Sequence, residues 1–185
     1  MFICGHLWFQ PPVSTEPSNL WYFAYGSNMA RSIFLEPRRM QPLATRSAWL
    51  DDHRLCFNIP VGPGERGVAN LVAEAGALTH GVAYALTAAD FERLDNSEGV
   101  SFGLYRRVAV SVRTATHAEI RAWTYQSSVI ADGRKPSPRY LQLLLDGARE
   151  NSLPLEYIAD LERLDCAVDE RLAALGGKDH GQHRS

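Results

Sequence analysis

Seven short runs rich in aromatic and β-favouring residues crowd into the first two-thirds of this 185-residue chain, and helical periodicity takes over only after them. The runs are Leu20–Tyr25, Ala44–Leu50, Arg54–Ile59, Ala69–Glu74, Gly81–Leu86, Tyr105–Arg113 and Glu119–Tyr125, separated by glycine, proline or charged turns. Strands so short and numerous predict a curled sheet or small barrel. Helices that gather after the strands, rather than alternating with them, predict an α+β architecture.

The helices can be read from their ends. Asn28 is a candidate N-cap for "MARSIFLE", which Pro37 would stop by removing a backbone donor. In "TAADFERLDNSEG", Thr87 is the candidate cap, Phe91 and Leu94 lie one turn apart, and Gly99 follows the end. Ser137-Pro138 opens a third helix with Leu141, Leu144, Leu145 and Ala148 at helical spacing until Asn151. A fourth begins at Pro154 with Tyr157, Leu161 and Leu164 on one side. Residues 1–18 end in "PPVSTEPS" and read as a loosely held extension, 19–170 as one domain, and 171–185 as a polar, glycine-rich tail.

Composition removes several classes of function. A formal net charge of -2 with scattered arginines offers no electrostatic footprint for nucleic acid. The three cysteines Cys4, Cys56 and Cys166 lack paired-ligand spacing, which argues against a disulfide framework and a cysteine zinc site and fits a reducing cytoplasm. No run approaches the roughly 20 apolar residues of a membrane-spanning helix, so no membrane partner is expected. Outside the tail no histidines stand at metal-ligand spacing, and no metal is expected.

Three features remain as candidate chemistry. In "NLWYFAYGSNM" an apolar strand delivers Gly26, Ser27 and Asn28 to a helix start, where backbone N–H groups gather and an anion such as a carboxylate is favoured. A plain strand-to-helix turn capped by Asn28 explains the same letters. Glu98 falls at a helix terminus before Gly99, where it projects into a pocket or sits in a solvated turn, and Asp95 beside it shares the solvated reading. Tyr105, Tyr125 and Tyr140 offer phenols that bind a carboxylate or simply pack.

Taken in order, "YFAYGSNM", "LDNSEGVSFGLYRRV" and "KPSPRYLQLLLDGARENSLPLEY" resemble the gamma-glutamylcyclotransferase family from about Leu20 to Leu164. That resemblance implies a small mixed, largely antiparallel barrel with flanking helices. It also implies an enzyme that converts a γ-glutamyl amino acid or amine into 5-oxoproline without a cofactor. By the same resemblance Tyr22, Phe23, Ala24, Tyr25, Gly26, Ser27 and Asn28 form the substrate-contact segment, Glu98 is the acid/base, and Tyr105, Tyr125 and Tyr140 help to bind substrate. Met29 stands where the family commonly has leucine, and "GPGERG" at residues 62–67 is atypical, which leaves the leaving group open.

In such a reaction the substrate's α-amine attacks its own γ-carbonyl, and one carboxylate takes the proton from the amine and gives it to the departing nitrogen. The role asks for a partly buried Glu98. Two other readings stay open: removal of a γ-glutamyl protecting group in a biosynthetic pathway, and a non-catalytic γ-glutamyl-binding module. Glutathione is expected to be a poor substrate, because the glutathione-specific branch carries a different pattern after its YGS. A homodimer is compatible with all of these readings.

Overall fold

The computed structural model describes residues 20–62 and 64–168; the expected N-terminal extension, the C-terminal tail and Cys4 lie outside the described residues. Among the described residues there are five strands and four α-helices: β1 (Leu20–Ala24), α1 (Arg31–Phe34), β2 (Ala44–Pro60), β3 (Gly67–Leu86), α2 (Ala88–Glu98), β4 (Arg106–Thr114), β5 (Glu119–Gln126), α3 (Pro138–Glu150) and α4 (Leu155–Glu162). The strands form a closed barrel in the order β1-β3-β2-β4-β5. Every pairing is antiparallel except the seam between β1 and β5, which is parallel at Tyr22 and Trp123. No described helix is long and apolar enough to cross a membrane.

The seven expected strands are five, because two pairs of runs fuse into the long strands β2 and β3. The breaks read in the sequence survive as irregularities in pairing. Asp51 faces Leu78 and His53 faces Ala73, so β3 spends extra residues there; Asp52 takes a positive φ of 55° and its carboxylate accepts the Gly76 amide at 2.8 Å. Gly76 itself has φ 78°, a conformation that glycine adopts without strain. A second shift lies between Cys56 and Ile59.

Helix ends follow local chemistry at two of the three expected caps. The Thr87 hydroxyl accepts the Asp90 amide at 3.1 Å, and α2 closes on Gly99 in the left-handed conformation. The Ser137 hydroxyl accepts the Tyr140 amide at 3.2 Å with Pro138 in the first turn of α3. Asn28 does not cap. "SNM" forms a separate 3-10 turn without any side-chain cap, and α1 starts after it at Arg31. The Asn28 side chain is drawn instead to the Tyr22 phenol and the Glu98 carboxylate.

Phe23, Met29, Phe34, Leu86, Phe91, Leu94 and Leu144 are fully buried and tie barrel and helices into one core. Leu144 and Ala148 of α3 are inaccessible to solvent. Helix α3 meets the turn that follows β1 so closely that a Cβ on Gly147 would lie 2.6 Å from Met29 and Ala30 atoms. The packing therefore positions the Gly-Ser-Asn loop from behind.

Candidate active site

Strand β1 ends at Ala24, and two residues on lies Gly26, where a Cβ would come within 3.0 Å of the Tyr140 hydroxyl and 3.2 Å of Ala69. Glycine here admits close approach of three segments. The result is a cavity of about 170 Å³ whose wall includes Tyr22, Tyr25, Gly26, Ser27, Asn28 and Glu98. Tyr105, Tyr125 and Tyr140 complete the aromatic side, with Val68, Ala69 and Arg38 at the remaining edges.

The structure thus brings together nine of the eleven residues singled out in the sequence. Phe23 and Ala24 do not join them. Both are fully buried, and the Phe23 ring packs in the core against Gly81, deeper in the barrel than the cavity wall.

Glu98 is the last residue of α2, and its side chain is only 12% exposed. The left-handed Gly99 ends the helix there, which leaves the carboxylate at the mouth of the barrel instead of on the helix flank. Two groups hold it. Asn28 Nδ2 donates to Oε1 at 2.9 Å, and Arg38 Nη1 lies 2.9 Å from the same oxygen. Asn28 Nδ2 also donates to the Tyr22 hydroxyl at 2.8 Å, so one amide links loop, strand and carboxylate. Its Oδ1 is buried with no partner among the described residues.

The phenols are held as neutral donors. Burial, then the nearby Glu98 charge, pushes the Tyr22 hydroxyl well above its ordinary range. Burial likewise raises Tyr25, Tyr105 and Tyr140. Tyr125 is raised by burial first and by its hydrogen bond to Asp95 second. Tyr25 donates to the Tyr125 carbonyl at 2.5 Å, and Tyr125 donates to Asp95 Oδ1 at 2.6 Å. The Tyr140 hydroxyl accepts the Ala69 amide at 3.1 Å and touches Ser27 through both backbone and side chain, which leaves its own proton to donate.

Two residues escaped the sequence reading. Arg38, in "EPRRM", has no local mark that separates it from Arg39; only the tertiary fold reveals the ion pair with Glu98. Asp95, read as a solvated turn residue, instead pairs with Arg107 and fixes Tyr125. Its placement one helical turn before Glu98 on α2 was the available signal. No group of three or more potential metal ligands occurs among the described residues.

Comparison with known proteins agrees with this geometry. The model of the AIG2-like family matches residues 79–161. The chain is 31% identical over 156 residues to gamma-glutamylcyclotransferase of Bos taurus, covering 82% of each protein. It is 36% identical over 139 residues to gamma-glutamyl cyclotransferase gliK of Claviceps purpurea, covering 70% of this chain and 63% of the relative. A solved structure of a gamma-glutamyl cyclotransferase superposes with a TM-score of 0.70 at 26% identity, over 86% of this chain and 99% of the other. With the barrel, the loop and the glutamate at its mouth all in place, the chain belongs to the gamma-glutamylcyclotransferase family.

Proposed function

We propose that the protein is a cyclotransferase that cleaves a γ-glutamyl amide by attack of the substrate's own α-amine, releasing 5-oxoproline and an amine or amino acid. One observation carries the reading: the Glu98 carboxylate and the Gly26–Ser27 backbone share one cavity of a size for a small molecule. Opening onto separate surfaces would have defeated it.

The γ-glutamyl unit is gripped at its α-carboxylate by amides at the start of the 3-10 turn, where unpaired N–H groups collect, and by the Tyr22 and Tyr140 phenols, with the Tyr25 ring as part of the wall. The other end of the chain folds back so that nitrogen meets the γ-carbonyl. Holding the two in attack geometry is worth a large factor, since oriented intramolecular reactions reach effective molarities of about 10⁵–10⁸ M. The α-amine attacks in its neutral form, and Glu98 takes one proton from its nitrogen as the new C–N bond forms. It returns that proton to the departing nitrogen as the old C–N bond breaks. Negative charge that gathers on the γ-carbonyl oxygen meets backbone donors and phenols, and one preorganised donor is worth roughly 3–4 kcal/mol of barrier.

Substrate and protein account for every bond and proton in this scheme, so it calls for no cofactor. Cys56 and Cys166 are free and partly buried, which supports a reducing cytoplasm as the working compartment. The test is direct detection of 5-oxoproline from γ-glutamyl dipeptides, γ-glutamyl amines and glutathione. Wild type is expected to release it, with glutathione poorest, and Glu98→Gln to fall by about 10²–10⁴-fold at unchanged thermal stability. Equal rates for Glu98→Gln and wild type would remove Glu98 from the mechanism.

A further inference from the structure

Four phenols of the cavity wall differ in where their protons go. Tyr22 receives Asn28 Nδ2 at 2.8 Å and Tyr140 receives the Ala69 amide at 3.1 Å, so each keeps its own O–H to give to an anion. Tyr25 and Tyr125 have committed theirs. The first donates to the Tyr125 carbonyl at 2.5 Å, and the second to Asp95 Oδ1 at 2.6 Å. A phenol whose proton is committed offers an incoming ligand only its lone pairs.

The direction of the Tyr125–Asp95 bond is fixed from the far side of Asp95. Arg107 Nε donates to Asp95 Oδ1 at 3.2 Å and Arg107 Nη2 donates to Oδ2, a two-point grip in which the carboxylate only accepts. The guanidinium is itself held between rings, 4.7 Å from the Phe91 centroid and 5.6 Å from that of Trp123. Asp95 lies one helical turn before Glu98 on α2, so the Tyr125 oxygen is tied to the same helix end as the Glu98 carboxylate, and both residues line the cavity. Two acceptors at one helix end suit a group rich in N–H. A γ-glutamyl unit has such a group in its α-amine, with two N–H donors when neutral and three when protonated.

We infer that Asp95 is a positioning residue: by taking the Tyr125 proton it turns that phenol oxygen into an acceptor that holds the substrate's α-amine next to Glu98. The inference rests on the cyclotransferase reading for its substrate. With one N–H of the neutral amine on Tyr125 and the other on Glu98, the nitrogen lone pair is left to the γ-carbonyl, which is the orientation that attack requires. Tyr22 and Tyr140 remain as donors for the α-carboxylate. The wall therefore distinguishes the two charged groups on one α-carbon by the polarity of its phenols. Asp95→Asn tests this with little change of shape, because the new amide N–H donates to Tyr125 and turns the phenol proton toward the amine.

L-glutamate and glutarate differ only in the α-amine, and their binding is measured without turnover. Calorimetry on the full-length wild type is expected to show L-glutamate bound about tenfold or more tightly than glutarate, and Asp95→Asn and Tyr125→Phe each to cut that ratio by about five- to tenfold, the effect of one charge-assisted hydrogen bond. The double variant is expected to cut it no further, since both changes remove the same contact. Tyr125→Phe, which deletes a single oxygen, keeps the test open should Asp95→Asn not fold. A ratio that survives either substitution, even with a lowered Tm, would make the residue structural only and overturn the inference, as would additive effects in the double variant or no binding of L-glutamate. Should no γ-glutamyl substrate yield 5-oxoproline, the reaction is wrong, and the L-glutamate to glutarate ratio still decides the amine contact.

Discussion

Gly147→Ala sets two well-characterised effects against each other. In the middle of α3 alanine gains about 1 kcal/mol over glycine from helix propensity alone. Yet the new Cβ would sit 2.6 Å from the Ala30 nitrogen and from the Met29 carbonyl carbon and Cβ, about 1 Å inside the ~3.5 Å of an ordinary carbon contact. Overpacking typically costs about 1–3 kcal/mol, and backbone neighbours in a turn place this site at the upper end. The balance is a net loss of about 2 kcal/mol, which for a chain of this size lowers Tm by roughly 4–8 °C. Because the displaced turn also carries Ser27 and Asn28, KM for the γ-glutamyl substrate should rise as well. Thermal unfolding by circular dichroism and steady-state kinetics read the two effects. A Tm equal to or above wild type would mean that propensity wins, and that α3 does not brace the Gly-Ser-Asn loop.

Two further outcomes are expected. Arg38→Met should lower kcat by about tenfold with KM little changed, since Arg38 holds Glu98 in place rather than gripping substrate, and Arg38→Lys should recover part of the loss; a change confined to KM would contradict that role. His80 lies against Tyr157, with ring centroids 5.1 Å apart, and burial lowers its proton affinity in the folded chain. The unfolded chain therefore takes up that proton first, so the stability His80 contributes is complete above about pH 6.5 and is lost as pH falls below it. Tm measured from about pH 7.5 to 5.5 should decline less steeply for His80→Gln than for wild type, and parallel curves would exclude the residue.

Much of the fold was legible because its signals are local. Thr87, Gly99, Ser137 and Pro138 mark helix ends through contacts within a few residues, and the leucines of α3 state their buried face by spacing. The fusion of runs into β2 and β3 was not legible: charged residues such as Asp51, Asp52 and His53 look like a turn, yet the ladder continues beyond them once Asp52 ties down Gly76. The site divides in the same way. Gly26, Ser27 and Glu98 announce themselves by their place at element ends, whereas Arg38 acquires meaning only when the segment after α1 folds over the end of α2. Asn28 shows the limit most clearly, since local chemistry offers it a helix cap and tertiary structure offers it a carboxylate and a phenol.

The irregular pairing between Cys56 and Ile59 ties the cavity wall to the length of β2. Two residues of β2, Phe57 and Asn58, occupy the stretch where β3 supplies Ala69 alone, and the Ala69 amide donates to the Tyr140 hydroxyl. An amide released from a sheet by one surplus residue has become part of the cavity wall. Loss of a single codon in that stretch would leave every cavity side chain encoded and unaltered, yet return the amide to the ladder and take the Ala69 donor away from Tyr140. The shape of the cavity thus depends on an inconspicuous length constraint in β2 as well as on the side chains that line it.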